Sequence, residues 1–334
     1  MIIIKSVMAL MIGFITSILF GLFAVPILKK IKASQTLSIY LERAHSSKKG
    51  TPTMGGIIFI LPTIIITLAL LLLKKINISY TLIIIIFSFI SYAIIGFIDD
   101  FLIIKNHSNK GLTKSEKFTM QVIVSIIFFY LFMKGGNEPL IWIHTLKIKQ
   151  NIGWMYGIFI LFILTASSNA VNLTDGLDGL AAGLSVISFI TFGIISWYTD
   201  WLLGYEDIAI FSFVLIGSLL GFLTYNFPKA KVFMGDTGSL SLGATLGAYA
   251  IMTRHEVLLV LIGLVFVIET LSCIIQIIVY KLTKKRVFPM TPLHHTFEKI
   301  GWKENDIVKL FWAVGLISCM ISIIWGVILW KKSI

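Results

Sequence analysis

Charged residues are scarce in this 334-residue chain, and the shortage excludes a water-soluble protein. Only 13% of the residues are Asp, Glu, Lys or Arg, whereas 57% are hydrophobic. A soluble domain carries roughly 25% charged residues. Cysteine is also rare, and both Cys273 and Cys319 lie in apolar runs. Buried thiols of this kind argue against a disulfide framework or a zinc site. The composition therefore predicts an integral membrane protein.

Long apolar runs dominate the chain instead. A membrane-spanning helix needs about 20 mostly apolar residues, so the sequence predicts an all-α polytopic protein with about ten transmembrane helices. One integral membrane domain over residues 1–334 is expected. The first run is too long for the core of a signal peptide, which predicts that it is retained as a span. The expected spans are 6–28, 55–73, 79–98, 118–134, 154–171, 180–197, 208–226, 239–253, 257–280 and 308–330.

Lysine and arginine are distributed unevenly over the connections between these spans. They are more frequent in the connections that follow odd-numbered spans, which predicts that those connections are cytoplasmic and that both termini lie outside. The net charge of +12 largely reflects this bias. The same face would also attract an acidic substrate or anionic lipid headgroups.

Five aspartates fall at the predicted cytoplasmic ends of spans. Adjacent carboxylates repel each other, and each is costly near hydrocarbon. Their common placement predicts a site for a divalent cation or a proton, with helix caps and salt bridges to lysine as the alternative. The five are Asp99, Asp100, Asp175, Asp178 and Asp236.

The densest polar motif is "NLTDGLDGLA", residues 172–181. Asn172, Asp175 and Asp178 are three residues apart and would share one face of a helical turn. Their oxygens are the ligands that Mg²⁺ prefers. Gly176 and Gly179 are expected to break the helix and allow a ligand close to the backbone. Alternatively, one of the two aspartates caps the following helix.

A second motif, "FMGDTGSL" at 233–240, indicates a tight turn that enters a helix. Asp236 is expected to cap that helix, whose free N–H groups would suit a phosphate. The same side chain could hold Mg²⁺ beside the phosphate. Phe233 is expected either to stack on a base or to pack in the core.

Three further polar features have two interpretations each. Lys48 and Thr53 would bind a phosphate or a base, or belong to a flexible basic loop. His294 and His295 would bind phosphate oxygens or a carboxylate, or remain solvated. Glu269 lies in the middle of an apolar span, where an acid is usually functional or paired with another helix.

Together these motifs resemble the phospho-N-acetylmuramoyl-pentapeptide transferase family, within the polyprenyl-phosphate N-acetylhexosamine-1-phosphate transferase superfamily. The motifs follow the family order over nearly the whole chain. They are "KKGTPTMGG" (48–56), "GFIDDF" (96–101), "KGLTKSEK" (110–117), "NAVNLTDGLDGLA" (169–181), "FMGDTGSL" (233–240), "IETLS" (268–272) and "PLHHTFE" (292–298).

The resemblance implies a Mg²⁺-dependent, ten-helix enzyme of the bacterial plasma membrane, usually a homodimer, with its active site on the cytoplasmic face. It implies transfer of phospho-MurNAc-pentapeptide from UDP-MurNAc-pentapeptide to undecaprenyl phosphate. The products would be lipid I and UMP, in peptidoglycan biosynthesis. No nucleic acid is expected as a partner.

The resemblance also assigns roles to residues. Asp99 and Asp100 would be the catalytic pair, joined by Asp236, His294 and His295. Asp236 and Asn172 would hold Mg²⁺. The substrate-binding set would be Lys48, Thr53, Lys117, Asn172, Asp175, Asp178 and Phe233. Two departures from the family pattern stand out: Thr296 replaces a third histidine, and Lys105 is the nearest lysine after the aspartate pair.

Two other functions compete with this one. A transferase of another UDP-linked N-acetylhexosamine phosphate, such as a polyprenyl-phosphate GlcNAc-1-phosphate transferase, would share the aspartate pair, although "PLHHTFE" argues against it. An ion-coupled transporter would also need intramembrane acids, but its site is expected near the midplane rather than at span ends. Direct transfer and a two-step route through an aspartyl phosphate both fit the residues.

Overall fold

A computed structural model describes residues 2–31, 50–106, 111–143 and 148–329. The described chain is helical, with one short antiparallel hairpin. In chain order the elements are α1 (Ile2–Lys30), α2 (Ile57–Leu72), α3 (Tyr80–Lys105), α4 (Lys114–Lys134), β1 (Leu140–Ile143), β2 (Ile148–Asn151), α5 (Met155–Thr174), α6 (Leu180–Trp197), α7 (Tyr205–Asn226), α8 (Gly235–Met252), α9 (Leu259–Ile262), α10 (Leu264–Thr283), α11 (Leu293–Lys299) and α12 (Glu304–Ile323), which continues as a π-helical segment over Ile324–Leu329.

All ten predicted spans are helical, and the protein is an all-α, multi-pass membrane protein. Eight of the described helices are long and apolar enough to cross a bilayer. The count of ten is not confirmed, because α2 has only 16 residues and α8 is not among those eight. The ninth expected span is interrupted at Gly263, between α9 and α10. The β1–β2 hairpin was not predicted from the sequence.

Helices α6, α7 and α8 form the buried centre of the bundle. Helix α3 packs along α8, and α1 packs along α7. By contrast, α1 and α10 expose large apolar side chains such as Phe23, Leu271 and Ile277. Side chains of this kind suit contact with lipid tails, because hydrocarbon does not penalise their exposure.

The glycines of α8 allow close packing against α5. A Cβ atom on Gly243 would lie 2.3 Å from the backbone oxygen of Ser167, and one on Gly247 would lie 2.7 Å from the Ser167 hydroxyl. Only a residue without a side chain therefore allows α5 to approach α8 this closely. This approach brings the end of α5 beside the start of α8, where the candidate site lies.

Candidate functional site

The two adjacent aspartates near the end of α3 point to different partners. Asp100 is fully buried, and its carboxylate accepts hydrogen bonds from the backbone N–H groups of Asp236 (3.2 Å) and Thr237 (2.9 Å). The Thr237 hydroxyl donates a third bond of 2.6 Å. Asp100 therefore caps the first turn of α8 from outside that helix. The expectations that Asp236 caps α8 and that these N–H groups are free for a phosphate are both wrong, because Asp236 lies inside the first turn and Asp100 accepts the two bonds.

Asp99 faces the segment that leads into α4. Its carboxylate accepts a 2.9 Å hydrogen bond from the backbone N–H of Leu112. The N-terminus of α4 is fixed by a capping box, in which the Thr113 side chain accepts from the Glu116 N–H and the Glu116 carboxylate accepts from the Thr113 N–H. Such a box satisfies two helix N–H groups reciprocally. It thereby places the next residue, Lys117, at the mouth of the site.

Lys117 joins Asp99 to Asp236. Its ammonium group donates a 2.6 Å hydrogen bond to Asp236 Oδ2 and lies 3.5 Å from Asp99 Oδ1. The other oxygen of Asp236 accepts a 2.7 Å bond from Asn172 Nδ2, which also donates to Ser239 Oγ at 2.9 Å. Four helices, α3, α4, α5 and α8, thus contribute to one connected polar cluster, which we call the acid cluster: Asp99, Asp100, Lys117, Asn172, Asp175 and Asp236.

The motif between α5 and α6 breaks the helix as predicted. Helix α5 ends at Thr174, and Gly179 adopts φ +75° before α6 begins. Asp175 lies at this break. Burial, followed by the nearby carboxylates of Asp236 and Asp100, raises the pKa of Asp175 well above its usual range. Asp175 therefore belongs to the same crowded group of carboxylates.

Asp178 has a different environment from Asp175. Its carboxylate accepts a 2.7 Å hydrogen bond from the backbone N–H of Ala230, and its own N–H donates to Glu304 at 2.7 Å. It does not cap α6, because no side chain forms a cap bond at Gly179. These contacts hold the loop after α7 in place, and that loop carries Phe233 into the site.

Phe233 and Thr53 lie on two extended segments that pair beside the acid cluster. The Phe233 N–H donates to the Pro52 carbonyl, and the Gly55 N–H donates to the Phe233 carbonyl, both at 2.8 Å. Thr53 is fully buried. A Cβ atom on Gly235 would lie 2.6 Å from both the Thr53 hydroxyl and Asp100 Oδ2, so these two groups meet across that glycine. Lys48 lies outside the described residues.

The two predicted histidines lie on α11, against the motif that follows α5. His294 is fully buried, and a Cβ atom on Gly176 would lie 2.3 Å from its Nε2. His295 Nδ1 lies 2.6 Å from the Glu298 carboxylate, and the two histidine rings are 4.2 Å apart. The structure therefore brings His294 next to Gly176, which directly follows Asp175, although α11 and this motif are far apart in sequence.

The acid cluster contains more negative charge than positive charge. Four carboxyl groups converge, and within the described ranges the lysine among them is Lys117, which pairs with Asp99 and Asp236. In those same ranges, no three Asp, Glu, His or Cys side chains are arranged to ligate a metal ion. Oxygen donors nevertheless suit a hard cation, and Mg²⁺ commonly uses only one or two carboxylates plus substrate phosphates. The donor set thus fits Mg²⁺ chemically.

Three residues in this region were missed or left undecided by the sequence. Thr237 binds Asp100, and Ser239 accepts from Asn172. Both directly follow Asp236 in a motif that was already noted, so their position was the available signal. Glu269 contacts His294, and no periodicity in the sequence links these two segments.

Comparisons with known proteins agree with this geometry. Residues 81–254 match the model of glycosyl transferase family 4, and residues 48–60 match phospho-N-acetylmuramoyl-pentapeptide-transferase signature 1. A phospho-N-acetylmuramoyl-pentapeptide-transferase of Oceanobacillus iheyensis is 42% identical over 94% of this chain and 95% of its own length. Proteins of the same name from Geobacillus thermodenitrificans (43%, over 95% and 96%) and Bacillus subtilis (42%, over 94% and 95%) are equally similar. The chain therefore belongs to the phospho-N-acetylmuramoyl-pentapeptide-transferases of glycosyl transferase family 4.

Proposed function

We propose that this protein transfers phospho-MurNAc-pentapeptide from UDP-MurNAc-pentapeptide to undecaprenyl phosphate, giving lipid I and UMP. The observation that carries the proposal is the similarity to transferases of this name over nearly the full length of both chains. The acid cluster supplies groups suited to the reaction. Both substrates are anions, so a site that brings them together must offset their repulsion.

The reaction is a displacement at phosphorus. A phosphate oxygen of the lipid attacks the sugar-linked phosphorus of the donor, a new P–O bond forms, and the P–O bond to UMP breaks. UMP leaves with the electron pair, and the proton of the lipid phosphate passes to a base. Asp99 is the proposed base, since its carboxylate lies 3.5 Å from the Lys117 ammonium group and, unlike that of Asp100, does not cap α8. A general base must reach the proton that it removes.

The other residues bind and orient the substrates. Lys117, His294 and His295 neutralise phosphate oxygens, whereas Asp100 holds the start of α8 and so fixes Asp236. We assign Asp175, Asp178, Phe233 and Lys48 to nucleoside binding, and Thr53 to binding of a phosphate or the base. Asp236 and Asn172 are the residues that would hold Mg²⁺. When bound, the cation supplies positive charge that stabilises the phosphoryl group and the UMP leaving group.

The proposal extends to the setting of the enzyme. The acid cluster faces the cytoplasm of a bacterial cell, both termini lie outside, and two copies form a homodimer in the plasma membrane. The distribution of lysine and arginine supports this orientation. The lipid acceptor is confined to the bilayer and the nucleotide is soluble, so the membrane surface is where the two can meet.

The test is UMP release by the purified protein in detergent with undecaprenyl phosphate. UDP-MurNAc-pentapeptide is expected to yield UMP and lipid I, and UDP-GlcNAc is expected to yield neither. Removal of Mg²⁺ with EDTA is expected to stop the reaction, and returning Mg²⁺ to restore it. Product from UDP-GlcNAc alone would support the related GlcNAc-1-phosphate transferase instead. No UMP from either donor would contradict a transferase.

A further inference from the structure

Glu269 is a buried acid to which the proposed reaction assigns no role. It lies in α10 between apolar residues, and it is fully buried. A carboxylate at such a position is costly unless it is paired. In the described part of the chain, the ionisable side chain within salt-bridge distance of Glu269 is His294, and no lysine or arginine lies within that distance. Glu269 thus depends on His294 for compensation.

Glu269 contacts both the backbone and the ring of His294. The His294 N–H lies 3.1 Å from Oε1 and 3.4 Å from Oε2, and the ring Nδ1 lies 3.3 Å from Oε1. The backbone N–H bond fixes the position of the residue, whereas the approach to Nδ1 does not have the geometry of a hydrogen bond and places the carboxylate charge beside one edge of the ring. A carboxylate beside Nδ1 also favours the tautomer with its proton on that nitrogen.

The opposite edge of the ring faces the motif that contributes to the acid cluster. His294 Nε2 is directed at Gly176, which is next to Asp175. Like Nδ1, it is fully buried and has no hydrogen-bond partner among the described residues, but unlike Nδ1 it has no carboxylate of an ion pair beside it there. Leaving a buried polar atom unpaired costs about 1–3 kcal/mol. An unpaired buried polar atom therefore needs an explanation, and a bound ligand that pairs with it is one.

We propose that Glu269 is a positioning residue, which holds His294 so that Nε2 is presented to the donor substrate beside Asp175. This inference rests on the proposed transferase function. Glu269 acts through His294 and does not touch the substrate itself. It couples α10, an otherwise lipid-facing helix, to the site.

The substitution Glu269→Gln separates this role from simple helix capping. The glutamine retains an oxygen that accepts from the His294 N–H but lacks the negative charge beside Nδ1. The expected result is a 10- to 100-fold fall in kcat, the range seen when residues that orient a histidine are changed, with a less than threefold change in KM for the donor. If the residue were only a cap, kcat would be unchanged.

A double-mutant cycle then tests whether the two residues act as one unit. His294→Asn and Glu269→Gln/His294→Asn are expected to have equal activity, because Glu269 has no effect once the ring is absent. The matched control is Glu256→Gln, the same change at a buried glutamate at the far end of α8, which is expected to retain activity. Variants are compared at equal folded concentration, judged by size exclusion and thermal unfolding.

Two results would overturn the inference: wild-type kcat in Glu269→Gln, or losses that multiply in the double variant. If Glu269→Gln does not fold, Glu269→Asp replaces it in the same cycle, because the shorter acid keeps the charge but withdraws it from Nδ1. A wild-type protein that releases no UMP would instead contradict the proposed function, so the two failures are distinguishable.

Discussion

The two ends of the helical bundle both bury charged side chains, but they balance that charge differently. At the start of α8, four carboxyl groups of the acid cluster converge, and Lys117 pairs with two of them, Asp99 and Asp236. At the other end of α8, buried Arg254 donates to the carbonyls of Leu140 and Glu138 and lies over the rings of Phe132 and Tyr156. Tyr156 in turn donates to Glu256 at 2.5 Å. One cation therefore balances one acid there.

This difference indicates that the Arg254 group stabilises the fold, whereas the acid cluster serves a function. The Arg254 group satisfies its own charges and fastens the β1–β2 hairpin to the bundle. The acid cluster leaves negative charge in excess, which the fold alone does not require and which a cation and its substrate would balance.

A cavity of about 330 Å³ adjoins Arg254 and is lined by Trp142, Lys149 and Trp201, among others.

The largest effect is expected at the acid cluster. Asp236→Asn removes a charge that holds both Lys117 and the proposed cation, so UMP release is expected to fall by about 10² or more, the scale of a general acid–base contribution. Glu256→Gln, at the balanced end, is expected to change the rate less than threefold. Turnover near the wild-type rate in Asp236→Asn would contradict its assignment.

Backbone packing provides the next largest effect. A Cβ atom on Gly96 would lie 2.1 Å from the Asp236 carbonyl oxygen, so Gly96→Ala is expected to separate α3 from α8. Overpacking of this kind costs about 1–3 kcal/mol or more. Gly153 has φ +55°, but a Cβ atom added there would have no other atom within 4 Å. Gly153→Ala is therefore expected to lower the free energy of unfolding by about 1 kcal/mol through backbone strain alone.

The stability of the two glycine variants is measured by chemical unfolding in detergent, and their activity is measured by UMP release. Only Gly96→Ala is expected to lower activity as well as stability. Equal losses in the two variants would show that the α3–α8 contact does not control the site.

The balanced end is expected to show a pH-dependent stability. Burial raises the pKa of Glu256 from 4.5 to about 7, whereas burial lowers the pKa of His255 to about 4. The pKa of Glu256 is higher in the folded state than in the unfolded state, so the folded state binds the proton more tightly. Protonation of Glu256 therefore stabilises the fold. That contribution is complete below pH 4.5 and is lost as the pH rises through about 7.

The loss amounts to ~3 kcal/mol at most. The lowered pKa of His255 contributes the opposite slope below about pH 6.5, so the wild type is compared with Glu256→Gln, in which His255 is unchanged. Between pH 5 and 8, the thermal unfolding temperature of the wild type is expected to fall relative to that of Glu256→Gln. Parallel pH profiles for the two proteins would exclude Glu256 as the source.

The smallest effect is expected at a surface ion pair. Lys149 lies 3.8 Å from Glu138, and both side chains are more than half exposed. Such a pair contributes less than ~1 kcal/mol, so Lys149→Ala is expected to leave stability and UMP release nearly unchanged. Lys117→Ala, which removes the 2.6 Å contact to Asp236, is expected to abolish most activity. Similar activities of Lys149→Ala and Lys117→Ala would contradict the inference that only the acid-cluster end of the bundle is functional.

The sequence predicted which residues to consider but not how each one is used. Of the five aspartates predicted to share one site at the ends of apolar segments, Asp99, Asp100, Asp175 and Asp236 converge. The fifth, Asp178, binds the loop after α7 instead. The partners of Asp100 were not predictable, because its bonds to α8 join residues 136 and 137 positions apart. Glu269 and His294 meet only because α10 and α11 fold back on each other.

By itself, the sequence determined that the protein is helical, crosses the membrane several times and collects aspartates at one end. These properties follow from local composition, since a long apolar run in lipid must satisfy its own backbone hydrogen bonds as a helix. Only the tertiary structure decided which carboxylate faces Lys117, which caps α8 and which acid orients a histidine. Those choices depend on distances between segments remote in the chain, and close helix contacts at Gly96, Gly235 and Gly243 set those distances.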